Sequence, residues 1–374
     1  MNNPPDNAAI GIFPLYSIVL LAVGLMNHVM VIPPLLQEAK RDAWLSALIV
    51  IVPCIVWVTA LYYIMRRTER QPILLWLKRH GGRAVYWAAR LFFIVYLCGI
   101  IGMTLRETSM WTHSSYLPKT PTIAVAASLM LLCCLAALAG LRAIAICAGV
   151  LLPFVIVFGE FVMSANLPEK KYSLLLPMLE NGFAPVLKGS IFVGGGIAEL
   201  VVLLLLHHHV RGKLRLRSLY VLTILLTVLV LGPVTGAIAE FGPLEAAVQR
   251  YPSFEEWRLV TIGRYIRHLD FFSIYQWLSG AFVRISAALY VLLHLLVPSP
   301  TRRGKLVMLS LLFAGFVVLA ELPYSDMQYV AFLKSYYLPY SLWGVAGLTA
   351  VLFTVALVSR GRGSRGAAHD HELA

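Results

Sequence analysis

Ser190-Ile-Phe-Val-Gly-Gly-Gly-Ile-Ala-Glu-Leu200, then aliphatic residues to Leu206 and three histidines to His209, decides how the chain is read. The stretch is long and apolar enough to cross a membrane. Each of Gly194, Gly195 and Gly196 costs a helix roughly 1 kcal/mol relative to Ala. A carboxylate at the bilayer centre, here Glu199, costs roughly 2.5–3.5 kcal/mol. A segment that served purely as an anchor gains nothing from either. The direct reading is a helix interrupted at the glycines, with backbone opened toward a ligand and Glu199 facing the protein interior. The alternative is a small-residue face for tight helix packing.

Composition sets the class. The 374 residues are 59% hydrophobic and 13% charged, about half the charged share of soluble domains. The chain is therefore a polytopic membrane protein. Its net charge of +13 comes from basic residues between apolar runs, which points to anionic lipid headgroups and topology rather than nucleic acid. Cys54, Cys98, Cys133, Cys134 and Cys147 lie in or beside apolar spans without Cys-x-x-Cys spacing, so neither disulfide nor zinc is expected. Residues 1–7 carry no signal-peptide pattern.

Length and hydropathy give ten spans: Ile12–Leu36, Ala43–Met65, Ala84–Leu105 (extendable to Trp111), Thr122–Ala139, Ala143–Ala165, Pro185–His207, Ser218–Ala239, Phe271–Val297, Lys305–Glu321 and Leu338–Ser359. They form one domain over 12–359, with a short N-terminus at 1–11 and a polar, basic tail at 360–374 expected to be disordered. The loops after spans 2, 6 and 8 and the tail hold Arg66, Arg67, Arg70, Arg211, Lys213, Arg302 and Arg360 among others, so the positive-inside rule puts both termini in the cytoplasm.

Span 1 is also irregular. Gly24, Met26, Asn27 and His28 sit mid-span, and Pro33-Pro34 follows. Asn27 and His28 either meet a ligand or stabilise a kink. Ten spans divide into five and five, about 12–165 and 185–359, and spans 1 and 6 then hold matching positions. Paired broken spans point to a midplane site in an inverted-repeat transporter. Half-helix N-termini carry partial positive charge and free N–H groups, which suit a carboxylate ligand.

Arg284 lies too central in span 8 to snorkel and needs a carboxylate or water; Glu199 is the favoured partner. Arg90, Arg106 and Glu107, near the ends of span 3, can snorkel. Tyr96 and Trp277 can line a pocket. Adjacent helical residues point about 100° apart, so His207, His208 and His209 face one metal only if the helix has ended there. No metal or cofactor is assigned. In the loop 241–270, Ser253 can cap a short helix with Glu255 and Glu256 in its first turn, and Trp257, Leu259, Ile262, Tyr265 and Ile266 supply apolar surface.

The loop carries a resemblance. Phe241-Gly-Pro-Leu-Glu245, Tyr251-Pro252, Arg258, Ile262-Gly263 and Arg267-His-Leu-Asp270, with Trp277 and Phe282-Val-Arg-Ile-Ser286, resemble the endospore germination permease family, the B-subunit type of spore germinant receptor. Pro34, Asp42-Ala-Trp-Leu-Ser46 and Glu199 agree with it. The family looks like a branch of the amino acid–polyamine–organocation superfamily. The resemblance implies an all-α, LeuT-like fold of two inverted five-helix repeats with broken helices 1 and 6. It implies a subunit of the endospore inner membrane that works with an A subunit and a C-subunit lipoprotein. The implied task is to recognise a small germinant, such as an amino acid, bracketed by Gly24 to His28 and Gly194 to Glu199. Arg284 stands where the family usually has Lys, and His207 to His209 where a Pro is common. The competing assignment is a proton-coupled amino acid permease, with Glu199 or Glu160 as proton carrier.

Overall fold

The computed structural model describes residues 9–261, 269–297 and 301–371, with side chains to 359. The described residues are mostly helical and form no strands, with one isolated parallel bridge between Ile10 and Val210. Among them, nine helical segments are long and apolar enough to cross a membrane. The first, Ile12–Arg67, has 56 residues, well over twice the ~20 a crossing needs. It comprises α1 (Ile12–Leu25), a π turn (Met26–Met30), α2 (Ile32–Ala39), a 3-10 turn (Lys40–Asp42), α3 (Ala43–Ile49) and α4 (Ile51–Arg67).

Both ends of this run meet the same place. Ile10 N donates to His209 O at 2.9 Å, and Thr68 Oγ1 lies 2.7 Å from His207 Nε2. The run therefore folds back on itself and supplies two crossings, divided where Lys40 takes φ 46°. Arg70 Nη2 also donates to Gly212 O at 2.7 Å, which brings two of the basic loops to this end of the bundle.

The chain continues through α5 (Ile73–His80), α6 (Gly82–Ser115), α7 (Thr122–Ala139) and α8 (Leu141–Ala165). Gly140 between α7 and α8 has φ 97°, open to glycine at little cost. Span 6 is α9 (Phe183–Ile197), a 3-10 turn (Ala198–Val202), α10 (Leu203–Leu206) and a last 3-10 turn (His207–His209). Then come α11 (Leu216–Phe241), α12 (Pro243–Val248), α13 (Pro252–Leu259), α14 (Phe271–Leu296), α15 (Arg302–Ala320), α16 (Asp326–Phe332), a π turn (Leu333–Tyr337) and α17 (Leu338–His371). α17 runs on through the tail expected to be disordered, where extending a formed helix needs no new nucleus.

Spans 6 and 8 are the centre of the bundle. Their apolar windows are 83% buried, against 22% for α15 and 28% for α7, so the outer helices present their aliphatic faces to lipid. α14 packs on α1, α6, α7 and α8, while α9 packs on α2, α3 and α17. Span 6 starts near the Lys40–Asp42 turn: Leu179 N donates to Asp42 Oδ1 at 2.8 Å and Ser46 Oγ to Val186 O at 2.9 Å. It ends at His209, where span 1 begins, so spans 1 and 6 run antiparallel.

The start of α13 differs from expectation. α13 is preceded by Tyr251 with Pro252 at its first position; the Ser253 hydroxyl donates instead to His28 O at 2.8 Å. The helix thereby caps the bundle. The expected contribution of Ile262, Tyr265 and Ile266 lies outside the described residues. α16 carries a capping box between Ser325 and Gln328.

Candidate functional site

The glycines do not open the backbone. Gly194, Gly195 and Gly196 stay within α9, and the change of helix type comes after them, at Ala198–Val202. What they provide is close approach. A Cβ at Gly195 would lie 2.3 Å from Leu338 O, and one at Gly196 would lie 2.2 Å from Asn27 Oδ1. Gly195 thus lets α17 press on α9, and Gly196 lets the π turn of span 1 press on it. Gly194 meets a side chain, Leu342, at 3.2 Å.

Past the glycines the 3-10 turn aims Glu199 at Arg284. Both residues are 2% exposed. Arg284 Nη2 donates to Glu199 Oε1 at 2.6 Å and Nη1 to Oε2, a two-pronged pair. The guanidinium has two further partners: Nε donates to Thr104 Oγ1 at 2.7 Å and Nη1 to Ala22 O at 2.9 Å. Tyr337 OH donates to Glu199 Oε1 at 3.2 Å. Five segments therefore meet on one ion pair: α1, α6, the 3-10 turn of span 6, α14 and the π turn of span 10. Burial of two charges is tolerated because each finds an opposite charge and further hydrogen bonds.

Asn27 and His28 are held by α11. Asn27 Nδ2 donates to Leu226 O at 3.1 Å, and His28 Nδ1 lies 3.2 Å from Leu229 O. The second contact has a backbone cause. Pro233 sits inside α11 and lacks the N–H that would bond the carbonyl four residues back, which is that of Leu229. His28 fills that vacancy. Met26 is fully buried in the core, and Gly24 faces Leu229. Tyr96 OH bonds Ser341 Oγ at 2.8 Å, and Ser341 Oγ donates to Gly195 O at 2.9 Å, so this tyrosine joins α6 to α17 and α9.

A cavity of about 40 Å³ lies against the ion pair, lined by Glu199, Arg284, Ala22, Ile18, Leu97 and Leu203 among others. It points toward the Ile10–His209 end. It admits water-sized guests, whereas small-molecule sites run to about 300 Å³ and more. Of the expected site residues, Glu199 and Arg284 line it; Gly24, Met26, Asn27, His28, Tyr96 and Gly194 to Gly196 do not.

Sequence reasoning left out Thr104, whose one signal is being polar in an apolar span, and Tyr337, which precedes the span expected at Leu338–Ser359. It also took Arg106 and Glu107 for snorkelling residues. α6 extends to Ser115, so both lie inside the bundle, 8% and 2% exposed. Arg106 donates to the carbonyls of Ala320 and Leu322 at 3.0 and 2.6 Å, closing the end of α15. Glu107 Oε2 accepts from Arg250 Nη2 at 2.6 Å. Arg90 caps α14 through Leu295 O at 2.6 Å. Glu160 is exposed on α8. At the other end, His207 bonds Thr68 and Leu204 O; among the described residues no cluster of His, Cys, Asp or Glu is arranged to hold a metal ion.

The sequence profile of the spore permease family, described as spore germination protein, matches residues 10–320. The spore germination protein XB of Bacillus anthracis is 38% identical over 354 residues, spanning 94% of this chain and 99% of that protein. A multi-pass bundle with a buried ion pair between the irregular span 6 and α14, matched by this profile over residues 10–320 and by this relative over 94% of its length, belongs to the spore germination protein family.

Proposed function

We propose that this chain is a membrane subunit of a spore germinant receptor and that it recognises a small germinant, an amino acid or similar, beside Glu199 and Arg284. The observation that carries the reading is the buried ion pair at the point where irregular spans 1 and 6 meet. A zwitterion offers what each half of that pair needs: a carboxylate for Arg284 and an ammonium for Glu199. Exchange of the internal pair for two ligand contacts leaves no charge unpaired. Recognition then falls to side chains, since the glycine N–H groups remain in helix.

The cavity must widen to admit such a ligand. Spans 1, 3, 6, 8 and 10 all hold the pair, so widening moves several helices together. Binding that favours the widened form shifts the bundle toward it. Antiparallel packing of spans 1 and 6 supports a LeuT-like inverted repeat, and family membership supports partnership with an A subunit and a C-subunit lipoprotein in the inner spore membrane. The basic loops support a cytoplasmic location for both termini.

The test is ligand-induced thermal stabilisation of the purified protein with amino acids, sugars and nucleosides, repeated with Glu199→Gln. A compound that stabilises the wild type and not the folded variant supports the site. A compound that stabilises both equally sinks it. Proton-driven uptake of that compound into proteoliposomes would reassign the protein as a permease.

A further inference from the structure

The end of the bundle opposite Ile10 and His209 holds a second buried charge cluster. Lys170 lies past α8, Glu240 in the last turn of α11, and Glu256 in α13. Their side chains are 2%, 0% and 8% exposed. Lys170 Nζ is 3.3 Å from Glu240 Oε1 and 3.6 Å from Glu256 Oε2. One ammonium thus faces two carboxyl groups. Neither oxygen of Glu240, nor Oε1 of Glu256, receives a hydrogen bond. The Glu256 carboxyl is also pressed on the α11 backbone: a Cβ at Gly236 would lie 2.5 Å from its Oε2. Asn166 Nδ2 fixes the backbone there, donating to Glu256 O at 2.7 Å.

Two ionised carboxylates beside one ammonium would leave a buried charge uncompensated, which is strongly unfavourable. Like-charged carboxyls in one site avoid this by retaining a proton. A retained proton also gives the cluster the O–H donor that its bare oxygens lack. We propose that Glu240, Glu256 and Lys170 form a proton-binding site, with one proton held between the two carboxyls, that clasps α13 to the bundle. Release is a simple ionisation: the carboxylic O–H breaks, the proton goes to solvent, and the freed charge drives Glu256 out toward water.

The Glu256 carboxyl is held well above the usual carboxylate range, by burial first and by the charge of Glu240 next, against the pull of Lys170. A raised value in the docked form means that the clasp is fully held below the ordinary carboxylate range and is lost as pH rises through the raised value. Other titratable groups near α13 have their own partners. The His28 ring meets Leu229 O, Tyr116 donates to Asp270 O, Arg250 pairs with Glu107, and Glu255 pairs with Arg258. Because Ser253 of α13 bonds His28 O, the clasp reaches the π turn of span 1.

The experiment is pH-difference infrared spectroscopy of the purified full-length protein between about pH 5 and pH 9. The wild type should lose a protonated-carboxyl stretch as pH rises. Glu240→Gln and Glu256→Gln should each abolish that band, since the remaining carboxylate then has Lys170 to itself. Amide exchange of residues 252–259, corrected for its intrinsic pH dependence, should rise over the same window in the wild type and stay flat in Glu256→Gln. No titrating band in the wild type overturns the site, whatever the variants do. Persistence of the band in either variant overturns the shared proton. A band without the exchange response overturns the clasp.

Discussion

Thr104 and Glu107, one turn apart on α6, each anchor a different buried arginine: Thr104 Oγ1 accepts from Arg284 Nε at 2.7 Å, and Glu107 Oε2 from Arg250 Nη2 at 2.6 Å. Two charged tiers are thereby stacked on one helix. The inner tier joins α6 to span 1, span 6 and Tyr337. The outer tier joins α6 to the segment between α12 and α13 and to Tyr329, whose ring lies 5.3 Å from the Arg250 guanidinium. Tyr329 and Tyr337 belong to one helical run. Beside the outer tier, Trp277 donates to Thr108 Oγ1 at 3.2 Å and stacks on Trp111 with centroids 4.1 Å apart. The two tiers therefore share two elements, α6 and the 326–337 run.

The inner pair should show strong coupling. Glu199→Gln or Arg284→Gln alone strands a buried charge and should cost about 3–5 kcal/mol. The double substitution removes both charges and should cost clearly less than the sum of the two. Thermal unfolding of the four proteins in one detergent measures this. Additive losses would mean that the two residues act independently.

The glycine triplet should respond unequally to alanine. Gly195→Ala forces a methyl onto a backbone carbonyl and should cost about 3 kcal/mol, the upper end for overpacking. Gly194→Ala meets a movable leucine side chain and should cost less than about 1 kcal/mol. Comparable losses at the two positions would contradict close approach as the reason for Gly195.

These residues also mark what the sequence could tell. The Glu199–Arg284 pairing was legible because a central intramembrane charge must find its opposite, and few candidates existed. Span positions were legible because hydropathy sets them. The glycines were misread as a break because their role depends on Leu338 and Asn27 pressing from other spans. α16 was readable in principle from Ser325 and Gln328, a capping box just ahead of an apolar run. Arg106 and Glu107 were misplaced because hydropathy ends a span at the first charges, whereas α6 continues for two more turns inside the protein.

Arg250 should resist even conservative exchange. Its guanidinium bonds Glu107 and lies 4.5 Å from the Tyr251 ring as well as beside Tyr329. Arg250→Lys keeps the charge and loses the planar stacking, a loss of about 1–2 kcal/mol. Arg250→Met leaves Glu107 buried and unpaired, and should cost about 3–5 kcal/mol. Equal stability of the Lys and Met variants would show that the charge is immaterial.

The last prediction concerns His28 and Pro233. Donation from His28 Nδ1 to the Leu229 carbonyl is explained by the N–H that Pro233 lacks. His28→Ala in the wild type leaves that carbonyl without a partner inside the bundle and should cost about 1–3 kcal/mol. Pro233→Ala restores an N–H four residues on and lets α11 satisfy its own carbonyl. In that background His28→Ala should cost measurably less, a positive coupling of at least about 0.5 kcal/mol in a double-mutant cycle. An undiminished cost would mean that His28 contributes through something other than the proline vacancy, and would return the residue to the list of ligand contacts.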